Sequence, residues 1–209
     1  MVLVHGLVPA SRCLVPLVEA LARRGWSTYA PDLPGFGRSS RLGGLFGVDA
    51  LARHLGAWAD AVGVGGAAFV GVGFGSRVAA ALAAAHPEMV SRLVLLGAGA
   101  RPPVSMFVVP GANRRLGLGD VMASGPRRAW GTWRELRRDD LSARMERVTS
   151  PTLVARGSHD ERWCAAEARS LVRRCTDGTY VEVAGTGPAA PVVHPDAVAD
   201  TVTAFLRQH

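Results

Sequence analysis

Apolar strand-like runs alternate with helix-like runs along almost the whole chain, and this order points to a parallel sheet with helices packed on both faces. The run "VLVHG" ends in glycine, and "SRCLVPLVEALARRG" follows with Leu14, Leu17, Val18 and Leu21 at helical spacing before a stop at Gly25. "WSTYAPD" reads as the next strand and "LPGFGRSS" as a turn-rich loop. "VDALARHLGAWADAVG" places Leu51, Leu55, Trp58 and Val62 on one helical face. "AAFVGVGFGSRVAAALAAAHP" then reads as a buried strand, a sharp glycine turn and an alanine-rich helix, with "SRLVLLGAG" as another buried strand. Residues 98–150 break the rhythm with prolines and glycines, then tryptophans among arginines. It resumes with "PTLVARG", a helix over about 161–174, the strand "TYVEV" and a closing helix "PDAVADTVTAFLRQH".

The expected fold is therefore α/β: three layers, with a mostly parallel sheet of about six strands. A chain of 209 residues can fill one core, so a single domain over 1–209 is expected, with a short helical insertion at about 98–150. In such sheets ligands sit beyond the carboxyl ends of the strands, and the residues that end the strands are the candidates for a site.

Charge and composition remove several function classes. The net charge is +7, carried by 24 arginines and no lysine, and ten of those arginines lie between Arg101 and Arg147. Interleaved Asp120, Glu135, Asp139, Asp140 and Glu146 make that stretch read as a solvated helical surface. No nucleic-acid-binding motif accompanies the charge, so no nucleic-acid partner is expected. Steering of an anionic or carrier-tethered substrate stays open. Cys13, Cys164 and Cys175 have no metal-ligand spacing, and neither a metal nor a cofactor is expected. "MVLVHG" opens without a cationic leader, and no run approaches the ~18 apolar residues of a membrane span. A cytoplasmic protein without membrane contact is the expectation. The sequence sets no oligomeric state.

Two readings compete for "GVGFGS". A dinucleotide site needs glycines for close backbone approach to a pyrophosphate and a carboxylate about 20 residues on. Here the next strand ends in "LLGAGA", without a carboxylate. The second reading takes in more of the chain. "LVHG", "YAPDLPGFGRS", "FVGVGFGSRVAAALAAAHPEMVSRLVLLG", "PTLVARGSHD" and "VAGTGPAAPVVHPDAVADTVTAFL" together resemble the α/β-hydrolase fold family in order and spacing. The resemblance covers nearly the whole chain, except that the usual first two strands are missing and the lid insertion is short.

By this resemblance the nucleophile of the strand-to-helix elbow falls on Gly73, bracketed by Gly71 and Gly75. The acid falls on Asp160, and the catalytic histidine's place is taken by Pro188. Two of three triad members are absent, and losing either costs on the order of 10⁶ in kcat in a serine hydrolase. The backbone oxyanion hole survives side-chain loss, and the resemblance gives its donors as the N–H groups of Phe74 and Leu7. Candidate pocket walls are Gly6, Gly73, Met106, Phe107, Trp130, Trp133, Trp163 and Pro188.

The implied function is a non-hydrolytic enzyme, a lyase, isomerase or cyclase, acting on a hydrophobic carbonyl-containing small molecule in secondary metabolism. Asp160, Leu7 and Phe74 are its candidate catalytic residues. A catalytically silent binding or assembly protein is one alternative. A hydrolase or acyltransferase with relocated residues is the other, and it would need a thiol or hydroxyl within reach of His5, His159 or His194. Ser76 is expected to face away from the pocket, and Cys13 to be a core thiol rather than a thiolate.

Overall fold

The computed structural model describes residues 1–6, 10–40, 47–99 and 138–209. Among them are five strands: β1 (Val2–Val4), β2 (Ala67–Val72), β3 (Val90–Leu96), β4 (Thr152–Gly157) and β5 (Gly178–Val183). They form one parallel sheet in the order β1-β2-β3-β4-β5. The sixth expected segment contributes a single bridge, Val2 with Tyr29, at the free side of β1. Tyr29 donates its N–H to the Met1 carbonyl at 2.9 Å and accepts from the Leu3 N–H at 2.7 Å. Pro31, two residues on, has no N–H to continue the ladder.

Seven α-helices lie among the described residues: α1 (Val15–Ala22), α2 (Val48–Ala61), α3 (Phe74–Ala85), α4 (Leu141–Met145), α5 (Ala165–Val172), α6 (Ala190–Val193) and α7 (Pro195–Gln208). A 3₁₀ turn, Ser11–Leu14, leads into α1. Side chains on the strands alternate between two apolar clusters, as the period of two demands. Phe69, Leu93, Leu95 and Val154 pack with α2, α3, α4 and α5. Val70, Val94, Leu96, Leu153 and Ala155 pack with α1 and α7 on the opposite face. Because both faces are covered, the strands read as continuous apolar runs.

The alanine-rich helix α3 is buried along its length, and one of its most buried side chains is charged. Arg77, 1% exposed, donates from Nη1 to Asp139 Oδ2 at 2.7 Å and from Nη2 to the Gly99 carbonyl at 3.1 Å. Arg144 Nε reaches the other Asp139 oxygen at 2.6 Å. Asp139 is therefore a buried counter-ion, not part of a solvated surface as the charge pattern had implied. The clasp ties Gly99 and Asp139, on either side of residues 100–137, to the helix behind the elbow. Among the described residues no helix is long and apolar enough to cross a membrane.

Candidate active site

The turn from β2 into α3 is an elbow made possible by three glycines under two different constraints. A Cβ on Gly71 would lie 2.4 Å from Ser76 Cα, and one on Gly75 would lie 2.0 Å from the Val4 carbonyl oxygen. Both positions are closed to side chains by backbone crowding. Gly73 differs: its φ is 56° and ψ −111°, but among the described residues a Cβ there meets nothing within 4 Å. Its N–H is fixed by the Leu96 carbonyl at 2.8 Å. Among the described residues the seat of an elbow side chain is thus open, and positive φ is the constraint favouring glycine there.

A second set of bonds brings the acid turn and the loop carrying Pro188 together. Gly157 ends β4 so close to that loop that a Cβ would lie 2.4 Å from the Thr186 carbonyl oxygen. The N–H of Ser158 reaches the Val183 carbonyl at 3.1 Å, and that of His159 the Thr186 carbonyl at 2.9 Å. Gly185 N–H donates to Ser158 Oγ at 3.0 Å. These contacts set Asp160 and Pro188 on one wall.

The cavity enclosed between the elbow and this wall has a volume of about 130 Å³. Of the residues singled out from the sequence, Gly6, Gly73, Phe74, Asp160, Trp163 and Pro188 line it. Leu7, Met106, Phe107, Trp130 and Trp133 lie outside the described residues. Phe74 opens α3, so its N–H is among those without a carbonyl partner inside the helix. Trp163, 6% exposed, packs where a Cβ on Gly99 would stand 2.4 Å from its Cε3.

Asp160 is 2% exposed. Its Oδ1 accepts the Arg162 N–H at 3.0 Å, and the Arg162 Nε stands 3.9 Å away. Burial pushes the carboxyl above the ordinary range, and the N–H groups of Arg162 and Trp163 and the nearby guanidinium charges recover only part of that. Arg156 donates from Nη2 to the Asp160 carbonyl oxygen at 2.6 Å.

His5, His159 and His194 are not among the described residues that line the cavity. His5 is fully buried and has both ring nitrogens engaged by backbone: Nε2 accepts the Leu33 N–H at 3.0 Å, which leaves Nδ1 to donate to the Gly6 carbonyl at 2.7 Å. Burial lowers its pKa. His159 is exposed on the outer side of the acid turn, and His194 is exposed at the start of α7. Ser76 Oγ donates to the Gly71 carbonyl at 2.9 Å, behind the elbow. Cys13 packs against the core as expected and also lines the cavity. It is a thiol nonetheless, with burial pushing its pKa up to about 12.

The charged lining residues that escaped the sequence reading are Arg156 and Arg162. The signal was present: Arg156 stands one residue before the end of β4, and Arg162 two residues past Asp160. Among the described residues no group of three or more His, Cys, Asp or Glu side chains could hold a metal ion.

A family model described as alpha/beta hydrolase fold matches residues 1–121. The polyketide synthase ThaQ of Burkholderia thailandensis is 31% identical over 99% of this chain, which spans 12% of ThaQ's length. Pyrrolizixenacetamide deacetylase of Xenorhabdus hominickii is 28% identical over 99% of this chain and 90% of its own. Among solved structures, a thermophilic esterase from Thermogutta terrifontis superposes with a TM-score of 0.84 at 20% identity. That likeness covers 99% of this chain and 89% of the esterase, and concerns the fold alone.

Proposed function

Because the chain belongs to the α/β-hydrolase fold family, we propose that it works as a non-hydrolytic member, a lyase, isomerase or cyclase acting on a hydrophobic carbonyl-containing small molecule. The observation that carries this reading is Gly73, an elbow residue on the cavity wall with no side chain to attack a carbonyl and, among the described residues, no neighbour in the place of one. Pro188 lines the same cavity where an imidazole would be needed. The 99% coverage by ThaQ, a polyketide synthase, supports a substrate from secondary metabolism.

The chemistry falls to three devices. The Phe74 N–H donates to a developing oxyanion, with Leu7 as the second donor that the family resemblance implies; one such donor is worth about 3 kcal/mol in acyl transfer. The cavity walls hold the substrate in one reactive conformer, and alignment of this kind supplies about 7–11 kcal/mol. Asp160 completes the set: its raised pKa brings it closer to working pH, where a carboxyl can exchange a proton with an enol or a leaving hydroxyl. No covalent intermediate is required.

The test is product analysis in ¹⁸O-water with hydrophobic 1,3-dicarbonyl and poly-β-ketone thioester mimics. The expected products are isomers, dehydrated rings or cleavage fragments without solvent oxygen in a carboxyl group. Carboxyl ¹⁸O at enzymatic rates would replace this reading with hydrolysis. One observation favours a second reading, a silent binding protein: besides Cys13, Asp160 is the single proton-transfer group among the described lining residues. Tight ligand binding without turnover by the unmodified chain, unchanged in Asp160→Asn, would decide for it.

A further inference from the structure

One loop reaches both sides of the proposed oxyanion site. Asp32 stands three residues after Tyr29, the bridge partner of β1, and its side chain is 8% exposed. Its Oδ1 accepts the Ser11 N–H at 2.8 Å, at the start of the 3₁₀ turn that leads into α1. Its Oδ2 accepts the Arg38 N–H at 3.0 Å, and Ser39 Oγ donates to its carbonyl oxygen at 2.6 Å. The carboxyl fits here because position 37 is glycine, where a Cβ would lie 2.3 Å from Oδ2. Burial works against the charged form, yet the N–H groups of Arg38 and Ser11 hold the pKa below the ordinary range. The next residue, Leu33, donates its N–H to His5 Nε2 at 3.0 Å, and the same ring holds the Gly6 carbonyl at 2.7 Å. Three residues further on, the Phe36 ring packs edge-on against His5 at 5.3 Å between centroids and lies 6.4 Å from the Phe74 ring.

Gly6 and Ser11, on either side of Leu7 in the sequence, are thus both tied to this loop, and Phe74 packs near it. We infer that residues 32–36 brace the oxyanion donors, with Asp32 and Phe36 as the positioning residues. The inference rests on the proposed oxyanion chemistry and deepens it by saying what holds the donors. A donor stabilises a developing charge only when it is aimed beforehand, so its backbone must be fixed by supporting groups. Asp32 and Phe36 are not among the described residues that line the cavity, and each acts through the segment it holds. Asp32 suits the role because a carboxylate accepts two N–H groups at once. An asparagine offers one acceptor and turns its own N–H group toward the second donor.

The experiment compares cyclohexane-1,3-dione, an enolate at neutral pH, with its neutral isostere 3-methylcyclohex-2-enone by ligand-observed NMR titration of the full chain. The unmodified chain is expected to bind the enolate at least about tenfold more tightly, a difference of about 1.4 kcal/mol. Asp32→Asn is expected to lower that ratio at least about fivefold with the neutral ketone's affinity within about twofold, and Phe36→Leu to lower it about threefold. Removing a negative charge would by itself favour the enolate, so a fall in the ratio reports aim and not charge. A ratio unchanged in Asp32→Asn overturns the brace and leaves the oxyanion reading standing. Should that variant not fold, an unchanged ratio in Phe36→Leu overturns it in the same way. Equal weakening of both ligands also overturns it, since that is what a purely structural role would give. Equal binding of the two ligands by the unmodified chain, or binding of neither, removes the oxyanion reading and the brace together.

Discussion

Two strand exits meet in the cavity, and they differ in what they carry. The exit of β2 has the full backbone contortion of a nucleophile elbow and no side chain at its apex. The exit of β4 has both parts, a loop stitched to its neighbour and a buried carboxyl at its end. The difference separates framework from chemistry. Gly71 and Gly75 are held by contacts any elbow of this shape must make, whereas among the described residues Gly73 answers only to its φ. An elbow is therefore stable without its nucleophile, and glycine at the apex relieves strain that a side chain would incur.

That separation can be broken by substitution, beginning with the largest effect. Gly75→Ala drives a methyl group into the Val4 carbonyl, so thermal and urea melts should show a loss above about 4 kcal/mol or no folded protein. Arg77→Ala takes one of two guanidinium partners from the buried Asp139 and releases Gly99, for an expected loss of about 3 kcal/mol in the same melts, the low end for a broken buried pair because Arg144 remains. Gly73→Ala has room for its methyl group and bears only the positive φ, about 1–3 kcal/mol. Similar losses for Gly73→Ala and Gly75→Ala would erase the distinction between the two kinds of glycine.

The smallest effect is at the other exit, and its sign is the informative part. Burial raises the Asp160 pKa in the folded chain above the unfolded value of about 3.9. The stability this group contributes is present in full below the unfolded value and is lost as pH rises through the raised folded value. Asp160→Asn cannot ionise. Its melting temperature should match the unmodified chain near pH 3 and exceed it near pH 7, as read by calorimetry across that range. The reverse order would mean that the carboxylate is stabilised where it sits.

Much of the framework was legible in the sequence because it is written in residue types with few substitutes. Apolar runs with glycine stops gave the order of strands and helices, and the glycines at 71, 73 and 75 gave the elbow. The segment around Tyr29 was less legible: its apolar and β-prone residues fit a strand, but whether they pair beyond one bridge depends on the neighbour that Pro31 prevents. Asp139 was misread because local charge pattern cannot reveal a partner 62 residues away in α3. The arginines of the cavity were hidden for a similar reason. Arg162 follows a recognised carboxylate in sequence, yet its place in the cavity depends on how the 157–163 turn folds against residues 184–188.

The central claim is that the elbow and its partner loop are in place while the attacking side chain and its base are not. A fluorophosphonate probe, with generic ester turnover beside it, tests this on the unmodified chain and on the Gly73→Ser, Pro188→His double variant. The expected result is no labelling and no turnover by the unmodified chain, and labelling at position 73 with measurable turnover in the double variant. Labelling of the unmodified chain at a stoichiometric site, with ester turnover at ordinary enzymatic rates, would contradict the account.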